Sequence, residues 1–261
     1  MDCKNCRYSI PENGKYCLNC GAKVVTERLS FRHLTDEFSQ QFLNWDNRFI
    51  FTIKHLFKNP SKVISEYVDG VRKRYINPLS FFAISLTISG VYLFLMQKYF
   101  PDVLDMSQYF DNPNQKLGNQ KLTSFVYEYN SFISFIIIPG VAFISWIVFW
   151  NKKYNYIEHC AIYFYTMPLF SMCTSIVTVL AALFLPFQPM LVSMGLWLIF
   201  FFYSAILLKK LFGLSWKSMV LKTLLFIPLF FMAYLAFSFL ILGIGILTGV
   251  IEFKDFLPQK P

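Results

Sequence analysis

From Leu79 to Met96 the chain runs for eighteen residues without a charge. Four later stretches do the same: Phe132 to Trp150, Ala161 to Leu185, Met190 to Leu208 and Leu224 to Val250. About 20 apolar residues wound as a helix span the hydrocarbon core of a bilayer. Only a helix or a closed barrel can carry a backbone through that core without orphaned amides. The five segments therefore predict an all-α polytopic membrane protein, with about five transmembrane helices over residues 79–250. Composition agrees. Charged residues make up 15% and hydrophobic residues 56% of the chain, against about 25% and 45–50% in soluble domains.

Cations set the expected orientation. Arg72-Lys73-Arg74 directly precedes the first apolar run. Lys152-Lys153 follows the second, and Lys209-Lys210 with Lys217 and Lys222 follows the fourth. If each apolar run crosses once, all three groups fall on one face, which the positive-inside rule makes cytoplasmic. The loop from Gln97 to Lys121 balances three Lys with Asp102, Asp105 and Asp111 and falls on the other face, as does the uncharged turn Pro186–Pro189. The N-terminus is then cytoplasmic and the tail, 251–261, extracytoplasmic. No apolar signal-like region occupies residues 1–30, so the first membrane helix is expected to act as its own insertion signal. The formal charge of +9 could suggest nucleic acid, but many of the cations border apolar segments, where anionic lipid and topology account for them. Nucleic acid is not the expected partner; the lipid bilayer is.

Residues 1–25 carry a different chemistry. Cys3-x-x-Cys6 and Cys17-x-x-Cys20 lie ten residues apart, and two such pairs across a short spacer read as a four-thiolate, tetrahedral metal site. Zinc is the expected metal, with iron or redox dithiols as the alternatives. Tyr8-Ser9-Ile10 and Lys15-Tyr16 suggest short strands about an Asn13-Gly14 turn. Gly21 follows the second pair, where a metal knuckle favours a residue without a Cβ. So small a ribbon lacks a sufficient core, and metal binding would supply its folding free energy. Four thiolates close the coordination sphere, which implies a structural site and no catalysis. The other two cysteines, Cys160 and Cys173, read as small packing residues.

Residues 26–78 form a connector. Phe31, Leu34, Phe38, Phe42 and Trp45 recur at helical spacing. Phe49 to Phe57 is apolar but too short to span a bilayer. Asn59-Pro60 and Gly70 punctuate a third helix. Basic amphipathic helices bearing Phe and Trp suit a membrane surface; packing on one another or on the ribbon is the alternative. His33 and His55 lack accompanying ligands and read as surface or packing residues. In the membrane domain no acidic or basic side chain lies mid-segment, which argues against proton relays. The frequent Ser and Thr, among them Ser89, Ser171 and Thr178, read as helix contacts. Glu158-His159, at the mouth of the third membrane segment, is the one suggestive polar pair. It could bind a headgroup or small ligand, or form an interfacial pair touching Arg72–Arg74.

Three pieces carry a family resemblance: the ribbon C-x-x-C…C-x-x-C-G, the run Asn59-Pro60…Tyr67-Val68-Asp69-Gly70-Val71-Arg72-Lys73-Arg74-Tyr75-Ile76-Asn77-Pro78, and Tyr156-Ile157-Glu158-His159. Together they resemble the bacterial membrane-protein family known as domain of unknown function 3667 (DUF3667). Val71 stands where the family often has Lys. The resemblance implies an integral inner-membrane protein with a cytoplasmic ribbon and supplies no catalytic residue. The expected function is non-enzymatic: a cytoplasmic zinc-binding docking or sensing module, with a protein partner there, on a membrane bundle. Transport or lipid handling by the bundle is the alternative. An enzyme is disfavoured because no catalytic set can be assembled within the segments.

Overall fold

The computed structural model describes residues 1–11, 14–24, 48–104, 113–184 and 189–250. The amphipathic helix expected over Phe31–Trp45 and the tail 251–261 lie outside them. Two short helices, α1 (Arg48–Lys58) and α2 (Pro60–Val68), lead into the first long one, α3 (Pro78–Tyr99). After α4 (Pro101–Leu104) come α5 (Pro113–Glu128), α6 (Asn130–Val148), α7 (Tyr156–Phe184), α8 (Pro189–Leu211) and α9 (Trp216–Leu247).

Helices α3, α6, α7 and α9 are long and apolar enough to cross a membrane. The fifth expected span, Met190 to Leu208, is also one continuous helix, α8, of 23 residues. Its far end returns to the start of the bundle, where Tyr203 Oη donates to the Leu56 carbonyl at 3.0 Å. Residues 113–121, read from the sequence as part of the loop from Gln97 to Lys121, belong instead to α5. Pro113 opens it at a position where its missing N–H is harmless, and Gln, Lys and Leu are good helix formers. Its polar pattern hid it.

Helix α7 is the axis of the bundle, flanked by α3, α6 and α8. The hydroxyls of Ser171, Thr174 and Ser175 serve helix contacts. Ser171 Oγ meets Ser89 Oγ of α3 at 2.9 Å, while Thr174 and Ser175 donate to carbonyls one turn back. Helix α9 runs along the outside and has its most apolar stretch wholly unburied. Near its start Lys222 Nζ donates to the Val148 carbonyl at 2.6 Å and to Asn151 Oδ1 at 3.0 Å. A lysine is well placed on the free carbonyls at the end of α6.

The connector helices turn their apolar faces onto the bundle. Leu56, Val63, Ile64 and Tyr67 are fully buried in one core with Phe81, Tyr165 and Leu207. Helix α2 ends in a Schellman motif: Val71 N–H reaches the Glu66 carbonyl (2.8 Å) and Gly70 N–H the Tyr67 carbonyl (3.2 Å). Gly70 takes φ +107° there, a region closed to side chains with a Cβ.

The chain then enters α3 through Ile76 and Asn77. Ile76 N–H donates to Thr52 Oγ1 at 3.1 Å, and its carbonyl accepts from Tyr165 Oη at 2.6 Å. Asn77 caps α3 through Oδ1, which accepts from Leu79 N–H at 2.8 Å, and its amide donates to Tyr67 Oη at 3.3 Å. An N-cap typically contributes about 1 kcal/mol. Asn77→Ala loses both contacts, and we expect thermal unfolding in detergent to show a loss of about 1–2 kcal/mol; a variant as stable as the parent would make the cap idle.

Candidate metal centre and the Glu158–His159 site

The four N-terminal cysteines converge. Cys3 Sγ lies 3.7 Å from Cys20 Sγ and Cys6 Sγ 3.6 Å from Cys17 Sγ. All four sulfurs fall within 4.8 Å of one another. A tetrahedron of sulfurs 2.3 Å from a central zinc has edges of about 3.8 Å, so the donor set fits such an ion.

The module is built twice. Asp2 bridges to Ser9 and Tyr16 to Lys23. Arg7 N–H bonds the Cys3 carbonyl (2.8 Å) as Gly21 N–H bonds that of Cys17 (2.7 Å). Each equivalent pair lies fourteen positions apart. The ladder contacts thus run inside each knuckle, whereas the sequence suggested pairing across an Asn13-Gly14 turn; Asn13 is outside the described residues. The residue after each second cysteine is left-handed, Arg7 at φ +63° and Gly21 at +62°. Only glycine accepts that conformation freely.

The repeat extends to the neighbours of the sulfurs. Asn5 Nδ2 donates to Cys20 Sγ at 3.5 Å and Asn19 Nδ2 to Cys6 Sγ at 3.8 Å. Each Asn precedes the second cysteine of its own knuckle and serves the other. The pattern C-x-N-C, present twice as CKNC and CLNC, was the available signal for these outer donors. The Asn5 amide and the Ala22 backbone pull the Cys20 thiol down to about 6 against opposing burial. At Cys6 the Tyr8 backbone lowers the thiol, but burial and the facing sulfurs outweigh it and push it up to about 11.

The module rests on the cation run. Lys4 Nζ donates to the Asp69 carbonyl at 2.6 Å. Arg74 Nη2 donates to the Asn5 carbonyl at 3.1 Å, and Lys73 Nζ reaches the Cys20 carbonyl at 3.5 Å. Arg74 Nη1 also pairs with Glu66 Oε2 at 3.0 Å, and the same oxygen accepts from Tyr75 Oη at 2.6 Å. Burial, then Glu66, pushes the Tyr75 phenol up to about 12. Arg72 is buried, its guanidinium 5.9 Å from the centre of the Tyr67 ring.

Glu158 and His159 both lie inside the protein, at 3% and 0% exposure. They diverge, as adjacent helical residues must. Glu158 Oε2 accepts from Asn155 N–H at 2.7 Å, while Asn155 Oδ1 accepts from Glu158 N–H at 2.9 Å. This reciprocal pair is a capping box at the start of α7. His159 Nδ1 meets Ser145 Oγ of α6 at 3.1 Å, and its ring lies 5.5 Å from Phe212. Tyr154, beside it, is pushed up to about 12 by burial and by the carboxylates of Asp69 and Glu158. The sequence signal for the cap, Asn155-x-x-Glu158, was present but was eclipsed by the Glu-His pair.

These features define a multi-pass helical membrane protein with an N-terminal four-cysteine module able to hold a metal ion. Residues 46–90 match the family model described as "Protein of unknown function (DUF3667)", and the family resemblance is thereby shown over that stretch. No curated protein and no solved structure matches the chain.

Two variant pairs test this geometry. Gly21→Ala places a Cβ in a left-handed backbone and 2.9 Å from Lys73 Nζ; the lysine can move, but the backbone strain of about 1 kcal/mol remains. We expect metal titration to show an affinity about fivefold weaker, with no loss in Arg7→Gly. For the cap, Glu158→Gln preserves the box and stability, whereas Glu158→Ala costs about 1 kcal/mol in detergent unfolding. Equal loss in both would point to a role for the charge itself.

Proposed function

We propose that this is a non-enzymatic membrane protein of the bacterial inner membrane, whose N-terminal module binds one zinc ion and acts as a cytoplasmic docking or sensing element on the helical bundle. The observation that carries this reading is the sulfur tetrahedron, with spacings of 3.6 and 3.7 Å. Four thiolates leave no open position for a substrate or water. Iron fits four thiolates as well, and the metal assay separates the two. Bound metal would hold the two knuckles together, since among the described residues their shared core beside the cysteines is Ile10 and Ala22, with Val24 packed against it. Leu18, Tyr8 and Tyr16 stand exposed on the module and are the side chains a cytoplasmic partner would meet.

The orientation rests on the cations. Tyr203 joins α8 to α1, and Phe212 joins Phe149, Tyr154 and His159. The Arg72–Arg74, Lys152-Lys153 and Lys209-Lys210 groups therefore gather near one end of the bundle. That end is the cytoplasmic one by the positive-inside rule, and α8 crossing as a fifth span leaves the C-terminus outside.

The test uses purified full-length protein. We expect one zinc per chain by elemental analysis, lost in Cys17→Ser. In sealed vesicles the N-terminal tag should be reachable only from the cytoplasmic side and the C-terminal tag only from the other. A chain that takes up no metal would remove the module's assigned role. Both tags on one side would mean that one helix does not cross.

A further inference from the structure

The module's core is Cys3, Ile10, Cys17 and Ala22, and the bundle's core begins at Leu56; the two share no residue. A cleft of about 300 Å³ in the module, with Met1, Ile10, Ala22 and Val24 in its lining, reaches Gly70. Among the described residues, three lysine or arginine side chains on backbone carbonyls join the module to the link before α3. Hydrogen bonds of this kind each contribute little net free energy and are readily reversed.

Two of the three acceptors belong to the metal knuckles. The Asn5 carbonyl lies between Cys3 and Cys6, and the Cys20 carbonyl belongs to a ligand residue. Their positions follow from the wrapping of each knuckle about its sulfurs. The donors, Lys73 and Arg74, belong to the link that enters α3. Arg74 is braced from the other side by Glu66, and Glu66 also holds Tyr75. Tyr75 is followed directly by Ile76, which α1 and α7 grip. An unbroken chain of bonded groups thus runs from the sulfur site to the first long helix.

We infer that the four-cysteine module is a metal-dependent latch on the entry to the membrane domain. With metal, the knuckle carbonyls of Asn5 and Cys20 hold Arg74 and Lys73, and Lys4 holds Asp69. Without metal the knuckles lose their shape, the three donors are released, and the 69–76 link loosens. The inference rests on the metal reading above. It gives that reading a direction: the state of the metal site is transmitted inward to the bundle through residues 69–76, as well as outward to any partner.

Hydrogen exchange on the full chain in lipid nanodiscs tests it. Metal content is measured on the same samples. Metal removal by chelation, or in Cys17→Ser/Cys20→Ser, is expected to raise amide exchange over 69–76 on the order of tenfold. Lys4→Gln/Lys73→Gln should raise it comparably while keeping its metal. If removal loosens residues 1–24 and leaves 69–76 unmoved, the latch is overturned and the metal site stands. If the lysine variant keeps both its metal and parental exchange, the named contacts do no latching and the inference also falls. A chain that takes up no metal fails both readings together.

Discussion

A backbone entering a bilayer cannot leave its amide or carbonyl without a partner, and the peptide groups of Ile76 show how this chain meets that constraint. No helix yet supplies their partners. Thr52 of α1 accepts from the amide, and Tyr165, from the middle of the sequence, donates to the carbonyl. The next residue, Asn77, caps α3 and binds Tyr67 of α2. Four elements therefore meet at two consecutive residues. The family match, residues 46–90, covers α1, α2, this crossing and the first half of α3. The matched stretch is thus a structural unit, the device by which a polar link becomes a membrane helix.

The module beyond it solves a different problem with the opposite means. It has almost no apolar core and achieves shape by symmetry about a sulfur cluster. Two copies of one knuckle, fourteen residues apart, present two thiols each and exchange an asparagine donor. Folding free energy in a unit of this kind would come from an ion held by its thiolates. A unit ordered in that way would need no burial against the bundle, and among the described residues three polar contacts attach it.

Much of this was legible in the sequence because it is local. Uncharged runs of membrane length and paired C-x-x-C motifs express their chemistry within a few residues, and the punctuation at Pro60 and Gly70 marks the ends of α2. Other features were legible but outweighed. Asn155-x-x-Glu158 carries the capping signature, yet the neighbouring His159 drew the glutamate into a ligand reading that its bonding to Asn155 makes unnecessary. Helix α5 has a weak signal because its polar side chains lack the apolar periodicity that marks a packed helix. The docking of the module had no local signal. Its donors and acceptors are 53 to 69 positions apart, and the acceptors are carbonyls that every residue possesses.

The same separation explains why the cation run invited a single explanation. Three consecutive positive charges before an apolar segment are sufficient to orient a membrane helix, so nothing in the sequence demanded more of them. In the folded chain each has a distinct environment. Arg72 lies buried over Tyr67, Lys73 reaches the Cys20 carbonyl, and Arg74 bridges Glu66 and Asn5. A topological signal acts while the chain is being inserted and has no further need of charge placement afterwards. The distinct partners of these three residues belong to the mature state, and they make the run a junction between the four-cysteine module and the bundle.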